Sequence, residues 1–383
     1  MIFDVSVGIL GGGQLGKMLI QKANQLGIPC SFLESQKDCP AAGVTPNAFL
    51  GDIRSYDDVL AFGKNHTHIT VEIENVNLDA LYQLEKDGIQ VHPAPSVLET
   101  IKNKGRQKDF YQKHHIPSAD YKVFGNKSEL ISFCNINKIE FPLVIKATEG
   151  GYDGKGVWVV QSEADLNALP EMEYLLEEKI EIQKELSVIC YSNGKTIDCF
   201  ETVEMLFDPK ANLVDFLLHP AQISEAINTE AQNIAKQVCK NFGLQGLLAV
   251  ELFLTKDNTI LVNEVAPRPH NSAHHTIESH SVSQYEAHLR GVLGLDFQPN
   301  KSNVNFAAML NLLGEDNHDG KATIQGVNFI ENSPGTQLHW YGKTQTKPKR
   351  KMGHITMVSN NLSDLLSTSD NLKKNVKIIS TNG

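Results

Sequence analysis

Four of the seven residues from Gly150 to Gly156 are glycines, and this loop joins two apolar segments, Phe141–Ala147 and Gly156–Gln161. A tight hairpin turn needs only one or two glycines, so a simple turn does not account for this density. Glycines leave backbone N–H groups bare, and such groups can surround an anion, while the loop can close as a lid over a nucleotide. Lys146 lies just before the loop and adds a point charge for a phosphate. The pattern predicts a phosphate-binding loop on a β-hairpin, and a flexible hairpin tip beside a surface lysine is the alternative.

A second predicted hairpin brings two glutamates together. Gly246–Thr255 and Thr259–Val265 alternate as two strands around a short polar turn. Counting outwards from the turn pairs Glu251 with Glu264 on one face, ~4.5–5.5 Å apart at Cβ, where like charges repel. A divalent cation relieves that repulsion, and Mg²⁺ suits carboxylates that also face phosphates. Strict alternation turns Asn263 away from Glu264, and two exposed, solvated glutamates are the alternative to a metal site.

The first part of the chain alternates strands and helices. Val5–Leu10 predicts a strand, the glycine turn Gly11–Gly16 follows, apolar residues then recur at helical spacing as far as Leu26, and Pro29–Glu34 predicts the next strand. A parallel α/β domain is expected. The spacing of the glycines and the position of Glu34 also fit a dinucleotide-binding fingerprint, which is typical of an oxidoreductase. The alternative is that these glycines serve only a tight turn and close helix packing.

The same patterns predict further elements along the chain. His92–Pro95 indicates a linker between two domains. The predicted strands are Ile69–Ile73 and Tyr174–Ile180, and the predicted helical stretches are Leu78–Lys86, Val97–His114 and Ser283–Leu293.

Composition and charge exclude several classes of protein. The 383-residue chain is long enough for two or three domains, and no apolar stretch approaches the ~20 residues that span a membrane. Met1–Leu10 lacks a basic region before an apolar one, so no signal peptide is expected. The six cysteines have neither metal-binding nor disulfide-rich spacing, which favours a cytoplasmic location. The net charge of −10 argues against nucleic acid as a partner, and no membrane partner is expected.

The run Asn263–His274 reads N-E-V-A-P-R-P-H-N-S-A-H and closely resembles a segment of the N5-carboxyaminoimidazole ribonucleotide synthetase family, the ATP-grasp ligases of bacterial and fungal purine biosynthesis. The other segments that resemble this family occur in the same order along the chain and are Gly11–Met18, Val71–Asn75, Gly150–Gly156, Trp340–Lys343 and Arg350–His354. Because several long, ordered motifs agree, the resemblance covers nearly the whole chain and is far more specific than either glycine loop alone.

The resemblance implies an ATP-grasp fold that mixes α/β and α+β parts. The expected parts are a Rossmann-like pre-ATP-grasp domain at 1–96, a central lid subdomain at 97–180, a second ATP-grasp subdomain with the metal site at 181–298, and a small, mostly β C-terminal domain at 299–383. The implied activity is that of a ligase that forms a C–N bond. ATP drives the joining of bicarbonate to the exocyclic amine of 5-aminoimidazole ribonucleotide through carboxyphosphate, and ADP and phosphate leave. The implied cofactors are ATP and Mg²⁺, which Mn²⁺ can replace, and the implied assembly is a homodimer.

The same resemblance assigns roles to individual residues. The expected ATP contacts are Lys104, Lys146, Gly150, Gly151, Tyr152, Asp153, Gly154, Lys155, Gly156, Glu177, Glu178, Lys179, Ile180, Glu185, Asn263 and Glu264. The expected metal ligands are Glu251 and Glu264. The expected substrate contacts are Gln14, Leu15, Glu72, Tyr152, Asp153, Arg268, His270, Asn271, Ser272, Lys343, Arg350 and Lys351, where the last three grip the substrate phosphate. Arg268, His270 and Asn271 are also expected to be catalytic.

Some alternatives are open at this point. Lys104 aligns with a family arginine, but Arg106 is close enough in the chain to take its place. Lys155 stands where the family often has arginine. His270 and His274 have a spacing that binds zinc on a helix, although the nearby prolines favour irregular chain. The rival functions are a sister ATP-grasp ligase (formate-dependent glycinamide ribonucleotide transformylase or biotin carboxylase), a dinucleotide-dependent oxidoreductase, and a catalytically silent nucleotide sensor.

Overall fold

The computed structural model describes residues 5–151, 156–208 and 213–381. The predicted contacts of Tyr152, Asp153, Gly154 and Lys155 therefore lie outside the described residues. Within the described ranges no helix is both long enough and apolar enough to cross a lipid bilayer.

The N-terminal part is a parallel sheet with helices packed on it. The strands are β1 (Val7–Leu10), β2 (Cys30–Glu34), β3 (Ala48–Leu50), β4 (His68–Val71) and β5 (Gln90–Val91), and the helices are α1 (Gln14–Gln25), α2 (Tyr56–Gly63) and α3 (Leu78–Lys86). The spatial order is β3-β2-β1-β4-β5. All four residues of β1 are buried, as expected for a parallel strand covered on both faces. The prediction of a parallel α/β domain is confirmed.

The predicted helical stretch Val97–His114 is two helices, so the single-helix prediction is wrong. They are α4 (Pro95–Ile101) and α5 (Lys104–Lys113). Asn103 separates them because its extended backbone stops α4 while its side chain accepts a hydrogen bond from the N–H of Arg106 and caps α5.

A four-stranded antiparallel sheet follows these helices. Its elements are β6 (Tyr121–Phe124), α6 (Lys127–Asn137), β7 (Leu143–Ala147), β8 (Val157–Val160), α7 (Glu163–Ala168) and β9 (Tyr174–Glu177), and the strand order is β6-β9-β7-β8. β7 and β8 form a hairpin in which Lys146 faces Val157. The predicted hairpin around Gly150–Gly156 is therefore confirmed. β9 ends at Glu177, three residues before the predicted end of the strand.

A nine-stranded antiparallel sheet forms the centre of the molecule. Its elements, with the helices between them, are β10 (Ile182–Asn193), β11 (Ile197–Cys199), β12 (Val203–Asp208), β13 (Leu213–His219), α8 (Glu225–Asn241), β14 (Gln245–Thr255), β15 (Ile260–Ala266), α9 (Thr276–Ser279), α10 (Gln284–Val292), β16 (Phe306–Leu313), α11 (Val327–Glu331), β18 (Thr336–Trp340) and β20 (Lys351–Ser359). The strand order is β15-β14-β10-β12-β13-β16-β20-β18, and β11 pairs with β10. The sheet continues across the predicted boundary at 298/299 because β13 pairs with β16. The domain boundaries themselves stay predictions.

A small three-stranded sheet and one helix complete the C-terminal part. They are β17 (Gly320–Gln325), β19 (Gln345–Thr346), α12 (Leu362–Asn375) and β21 (Lys377–Ser380), and the strand order is β19-β17-β21. Apolar residues of α12 pack against β16 and β20 and close this end of the core.

Candidate active site

β14 and β15 form the predicted hairpin, and Glu251 lies opposite Glu264. The predicted register is nevertheless wrong near the turn, where Leu254 faces Ile260 one residue out of step. A β-bulge restores the register before the glutamates, and Asn263 is its extra residue. Glu251 and Glu264 therefore lie opposite each other because the bulge compensates for the one-residue shift at the turn.

The bulge also turns Asn263 towards the cleft, where its Oδ1 accepts a hydrogen bond of 3.0 Å from Lys146 Nζ. The prediction that Asn263 points away is wrong, because the extra residue of a bulge breaks strict alternation. Lys146 is 7% exposed and also pairs with Glu177 Oε2 at 2.5 Å. Lys108 pairs with the other oxygen of Glu177 at 2.6 Å. These buried contacts fix Lys146 beside Asn263, near the end of β7.

The two opposed glutamates have opposite electrostatic surroundings. Lys104 pairs with Glu264 and lowers the pKa of its carboxyl to about 2. Burial raises the pKa of Glu251 to about 8, and the charges of Glu264 and Glu185 add to this rise. Burial also raises the pKa of Glu185 to about 7, against the pull of Lys146. Glu251 and Glu185 therefore hold their protons more tightly than ordinary carboxyl groups, and a cation bound between such carboxylates would displace those protons.

Backbone hydrogen bonds hold the two ends of the Gly150–Gly156 loop. Gly150 and Gly156 have φ angles of +77° and +75°, which a residue with a side chain adopts only under strain. The Ala147 N–H donates to the Gly156 carbonyl at 2.7 Å, and the Lys104 N–H donates to the Thr148 carbonyl at 2.8 Å. The loop ends are thus attached to both the hairpin and α5.

The predicted ATP contacts Glu177–Ile180 lie at the end of β9 and directly after it. Glu178 and Lys179 are exposed, and Ile180 is half-buried. The N–H of Glu178 donates to the Asp120 carbonyl at 2.9 Å, so that N–H is already engaged. Lys104 is favoured over Arg106 as the basic residue predicted to contact the ATP phosphates. Arg106 lies on the surface, where it pairs with Glu99 at 2.9 Å.

The segment after β15 lines the other side of the carboxylates. His270 Nε2 lies 3.6 Å from Glu251 Oε1, and its Nδ1 is 2.9 Å from Ser272 Oγ. Arg268 pairs through Nε with Glu74 Oε1 at 2.8 Å. Asn271 begins a short 3₁₀ helix that carries Ser272. The structure therefore brings this predicted substrate segment next to the paired carboxylates.

In the N-terminal glycine turn Gly11–Gly16, glutamate side chains of the protein bind the backbone N–H groups. Glu72 accepts hydrogen bonds of 2.5 Å from the N–H groups of both Gly13 and Gly16, and Glu34 accepts one of 3.1 Å from Gly12. A Cβ atom at Gly13 would lie 2.5 Å from Glu72 Oε1, so this contact requires glycine. The donors that hold a pyrophosphate in dinucleotide-binding proteins are therefore occupied by carboxylates. This contact removes the structural basis of the oxidoreductase alternative.

Gln14 and Leu15 begin α1 and are half-buried beside this loop. Lys17, which the sequence analysis did not single out, lies one turn further on and donates to the Trp340 carbonyl at 2.8 Å. This contact connects α1 with the C-terminal part of the chain.

The three basic residues predicted to bind the substrate phosphate, Lys343, Arg350 and Lys351, only partly come together. Lys343 donates through Nζ to the Lys351 carbonyl at 2.7 Å, and Arg350 donates to the Gln345 carbonyl at 2.8 Å. The positive charge of Lys351 acts on both Glu251 and His274, so Lys351 lies near the carboxylate cleft.

Sequence reasoning missed two residues that orient the site. Lys108 shares Glu177 with Lys146, but it was given no role because its partner is distant in the chain. Glu74 lies within the Val71–Asn75 motif but was given no role there, although it holds Arg268. The zinc alternative at His270 and His274 is not favoured, because His274 Nδ1 meets Gln284 and Tyr285.

Comparison with known proteins gives the class of this fold and site. A family model of the ATP-grasp domain matches residues 109–285, one of the ribonucleotide synthetase preATP-grasp domain matches residues 5–102, and one of the phosphoribosylaminoimidazole carboxylase C-terminal domain matches residues 307–368. Together with the glycine hairpin and the paired carboxylates, these matches make the chain an ATP-grasp protein. The N5-carboxyaminoimidazole ribonucleotide synthase of Bacillus subtilis is 34% identical over 362 residues, which are 92% of this chain and 91% of that protein. The chain belongs to the family of N5-carboxyaminoimidazole ribonucleotide synthetases, which are ligases.

Solved structures agree with this assignment. The crystal structure of N5-carboxyaminoimidazole ribonucleotide synthetase from Thermotoga maritima superposes with a TM-score of 0.90 at 35% identity, covering 98% of this chain and 99% of that one. The Aspergillus clavatus synthase, solved with ADP and 5-aminoimidazole ribonucleotide, has a TM-score of 0.87 at 29% identity and covers 98% and 100%. The chloroplastic phosphoribosylaminoimidazole carboxylase of Vigna aconitifolia is 35% identical over 375 residues, which are 96% of this chain but 66% of that protein. The chain thus spans about two thirds of the length of that longer relative.

Proposed function

We propose that this chain carboxylates 5-aminoimidazole ribonucleotide with bicarbonate at the expense of ATP, and so acts in purine biosynthesis. The products are N5-carboxyaminoimidazole ribonucleotide, ADP and phosphate. The observation that carries this proposal is the contact between two half-sites: His270, in the substrate segment, lies 3.6 Å from Glu251, in the carboxylate pair. A phosphoryl group held through a cation on the carboxylate pair would therefore lie next to the substrate segment.

The paired carboxylates fit Mg²⁺, or Mn²⁺ in its place. Both donors are hard carboxylate oxygens, and burial, with the charges of Glu264 and Glu185, raises the pKa of Glu251, so a bound cation would take the place of its proton. When bound, the metal would offset the charge of the ATP phosphates. Glu251 and Glu264 are the proposed ligands.

The proposed ATP site uses residues around the same cleft. Lys104 and Lys146 would contact the phosphates, and Glu177 keeps the Lys146 ammonium in place through a buried ion pair. The Gly150–Gly156 loop would cover the phosphates and exclude water from the labile intermediate. Glu185 would accept the ribose hydroxyls, and Glu177–Ile180 would hold the adenine.

The proposed reaction has two balanced steps. A bicarbonate oxygen attacks the γ-phosphorus, the bond to the β-phosphate oxygen breaks, and carboxyphosphate and ADP form. The exocyclic amine of the ribonucleotide then attacks the carboxyl carbon, the C–O bond to phosphate breaks, and one amine proton is released. Arg268, oriented by Glu74, with His270 and Asn271, would stabilise the charge that develops in these steps.

The ribonucleotide would lie between the N-terminal and C-terminal parts of the chain. Gln14, Leu15 and Glu72 would approach it from one side, and Ser272 from the carboxylate side. Lys343, Arg350 and Lys351 would bind its phosphate. Glu72 already accepts two backbone hydrogen bonds, but a carboxylate can accept further donors.

An assay of ADP release tests this proposal directly. Purified protein receives ATP, Mg²⁺ and bicarbonate with 5-aminoimidazole ribonucleotide, glycinamide ribonucleotide plus formate, or biotin, each offered alone. We expect ADP release only with 5-aminoimidazole ribonucleotide, together with uptake of labelled bicarbonate in equal amount. A Glu264→Gln variant purified in the same way measures contaminating ATPase. Turnover with only one of the other two substrates would overturn the proposal.

We also propose a homodimer, which rests on the family resemblance. Light scattering coupled to gel filtration should give twice the monomer mass. A monomer mass at concentrations where the enzyme is active would contradict this assembly.

A further inference from the structure

Three buried histidines lie together outside the carboxylate cleft. His219 ends β13, His275 precedes α9, and His280 follows that helix. Their exposed fractions are 1%, 1% and 8%. One ligand atom from each ring lies within 4.8 Å of those of the other two. The cluster therefore joins a strand of the central sheet to both ends of one short helix.

The polar atoms of this cluster are poorly satisfied by the protein. Within the described part of the chain, the ring nitrogens of His219 and His275 have few polar partners: Glu201 Oε2 lies 3.2 Å from His219 Nε2 without hydrogen-bond geometry, and the Ser272 backbone contacts His275. The rings of His219 and His275 stack at 4.8 Å between centroids. Buried nitrogens without partners cost free energy, so this arrangement needs a reason other than stability.

A neighbouring serine determines which nitrogen of His280 carries the lone pair. Ser279 Oγ donates its hydrogen to the His275 carbonyl at 2.8 Å and lies 2.8 Å from His280 Nδ1. Because that hydroxyl hydrogen is already used, His280 Nδ1 must donate to Ser279 Oγ. The lone pair is then on Nε2, and such second-shell contacts orient metal-binding histidines in many proteins.

The charge state of the rings also suits metal binding. Burial lowers the pKa of His219 to about 3 and that of His280 to about 4, and it lowers the pKa of His275 well below its usual value. The rings are thus neutral near pH 7, which is the form that binds a metal. Glu201 Oε2 lies 3.2 Å from His219 Nε2, and its side chain is 54% exposed.

We propose that His219, His275 and His280 bind a divalent transition-metal ion of the zinc type, with Glu201 or water as the fourth ligand. Three imidazoles and one oxygen form a common four-coordinate zinc set. With Zn–N bonds of ~2.0–2.1 Å, a tetrahedral ion would bring the nitrogens to about 3.3 Å from one another. Rotation of the rings out of their stacked arrangement would bring the nitrogens from the observed spacing to this distance. The all-oxygen pair of Glu251 and Glu264 differs in chemistry and suits Mg²⁺ instead.

This metal would hold the substrate segment in place. His275 follows Asn271 and Ser272 in the chain, while His219 and Glu201 belong to the central sheet and the loop before β12. An ion shared by these residues would attach the segment that carries His270 to the sheet. Among the described residues, the hydrogen bonds and ion pairs of these ligands do not involve the predicted ATP or metal residues of the cleft, so metal binding here is testable separately from the proposed carboxylation.

The test measures metal binding by the full chain without an affinity tag. Chelator-treated protein is equilibrated with Zn²⁺ in excess Mg²⁺, and bound metal is measured by mass spectrometry. Competition with a chromophoric chelator gives the affinity. Wild type should retain one Zn²⁺ per chain, whereas His275→Ala and His280→Ala should bind at least about 100-fold more weakly. Co²⁺ in place of Zn²⁺ should give the visible absorption of a tetrahedral site in wild type alone.

Two further variants keep the result independent of folding. His115→Asn removes an exposed histidine whose φ of +53° asparagine tolerates, and it should bind Zn²⁺ like wild type. Ser279→Ala keeps all three ligands but loses the contact that orients His280, so its affinity should fall about 10–100-fold. Circular dichroism and ADP binding check that each variant folds. Equal Zn²⁺ uptake by wild type, His275→Ala and His280→Ala would overturn the proposal, as would no uptake by wild type.

Discussion

Replacing Glu177 with glutamine would remove an anion that two buried lysines share. Glu177, Lys108 and Lys146 are 6%, 2% and 7% exposed, and the two ion-pair distances are 2.6 and 2.5 Å. Glutamine has nearly the same volume, so packing changes little and the main loss is electrostatic. Removing one partner of a buried ion pair costs about 3–5 kcal/mol. At ~1.4 kcal/mol per factor of ten, the unfolding equilibrium shifts by roughly two to three and a half orders of magnitude.

Glu181→Gln is a matched control, because Glu181 lies four residues from Glu177 in the chain and also pairs with a lysine. Glu181 pairs with Lys256 at 3.0 Å, but both side chains are mostly exposed, so Glu181→Gln should cost only about 0–1 kcal/mol. Trp158 lies on β8, in the same sheet as Glu177, and the chain has two tryptophans. In a Trp340→Phe background, the fluorescence of Trp158 during urea denaturation at pH 7 therefore reports the stability of this sheet. Equal denaturation midpoints for Glu177→Gln and Glu181→Gln would refute the reasoning.

The two ion pairs of Glu177 should also make the stability of the fold depend on pH. Burial acts against ionisation of Glu177, but Lys146 and Lys108 outweigh it and hold the pKa of Glu177 below its ordinary 4.5. The pair therefore stabilises the fold fully above about pH 4.5, and this contribution is lost as pH falls through the lower pKa of the folded state. The stability difference between wild type and Glu177→Gln should shrink as the pH falls below that range. A difference that stays constant down to acid unfolding would contradict this assignment.

Three further predictions address the catalytic cleft. Glu264→Gln removes one proposed metal ligand, so turnover should fall by more than about 100-fold while circular dichroism is unchanged, and wild-type rates would remove the argument for the metal site. Arg350→Ala should raise the KM for 5-aminoimidazole ribonucleotide about 10- to 150-fold, as for a lost charged hydrogen bond of ~1.5–3 kcal/mol, with little change in kcat; an unchanged KM would count against a phosphate contact. Because the pKa of Glu251 is raised to about 8, Mg²⁺ binding below that pH should release a proton from Glu251. The Mg²⁺ affinity should therefore fall by up to about tenfold for each pH unit that the pH is lowered below 8. Calorimetry in buffers of different ionisation enthalpy measures that proton, and an affinity that does not vary between pH 6 and 8 would contradict the raised pKa.

Local sequence patterns predicted several of the elements. The helix Leu78–Lys86 was predicted at its observed bounds, and the hairpin around Gly150–Gly156 was predicted from glycine density and flanking apolar segments. These features depend on residues near one another in the chain, so periodicity and turn chemistry are sufficient to find them. The break at Asn103 was missed because a polar cap interrupts an otherwise helical pattern.

The pairing of Glu251 with Glu264 shows where local counting stops being reliable. The pairing was predicted correctly from an incorrect register at the turn, because a bulge at Asn263 compensates. Nothing in the alternation of β15 marks that bulge. Asn263 is fixed in the structure by a hydrogen bond from Lys146, which lies 117 positions away.

Composition, spacing and ordered motifs were thus enough to predict the fold class and the family, and they supplied candidate residues for the site. The tertiary structure alone decided how these residues are held: Glu72 closes the first glycine loop, Lys104 rather than Arg106 meets Glu264, and three histidines converge behind the substrate segment. Each of these contacts joins side chains from separate elements. A chain pattern records which residues are neighbours in sequence, whereas ion pairs, hydrogen bonds and metal sites depend on distances that exist only after the elements have packed.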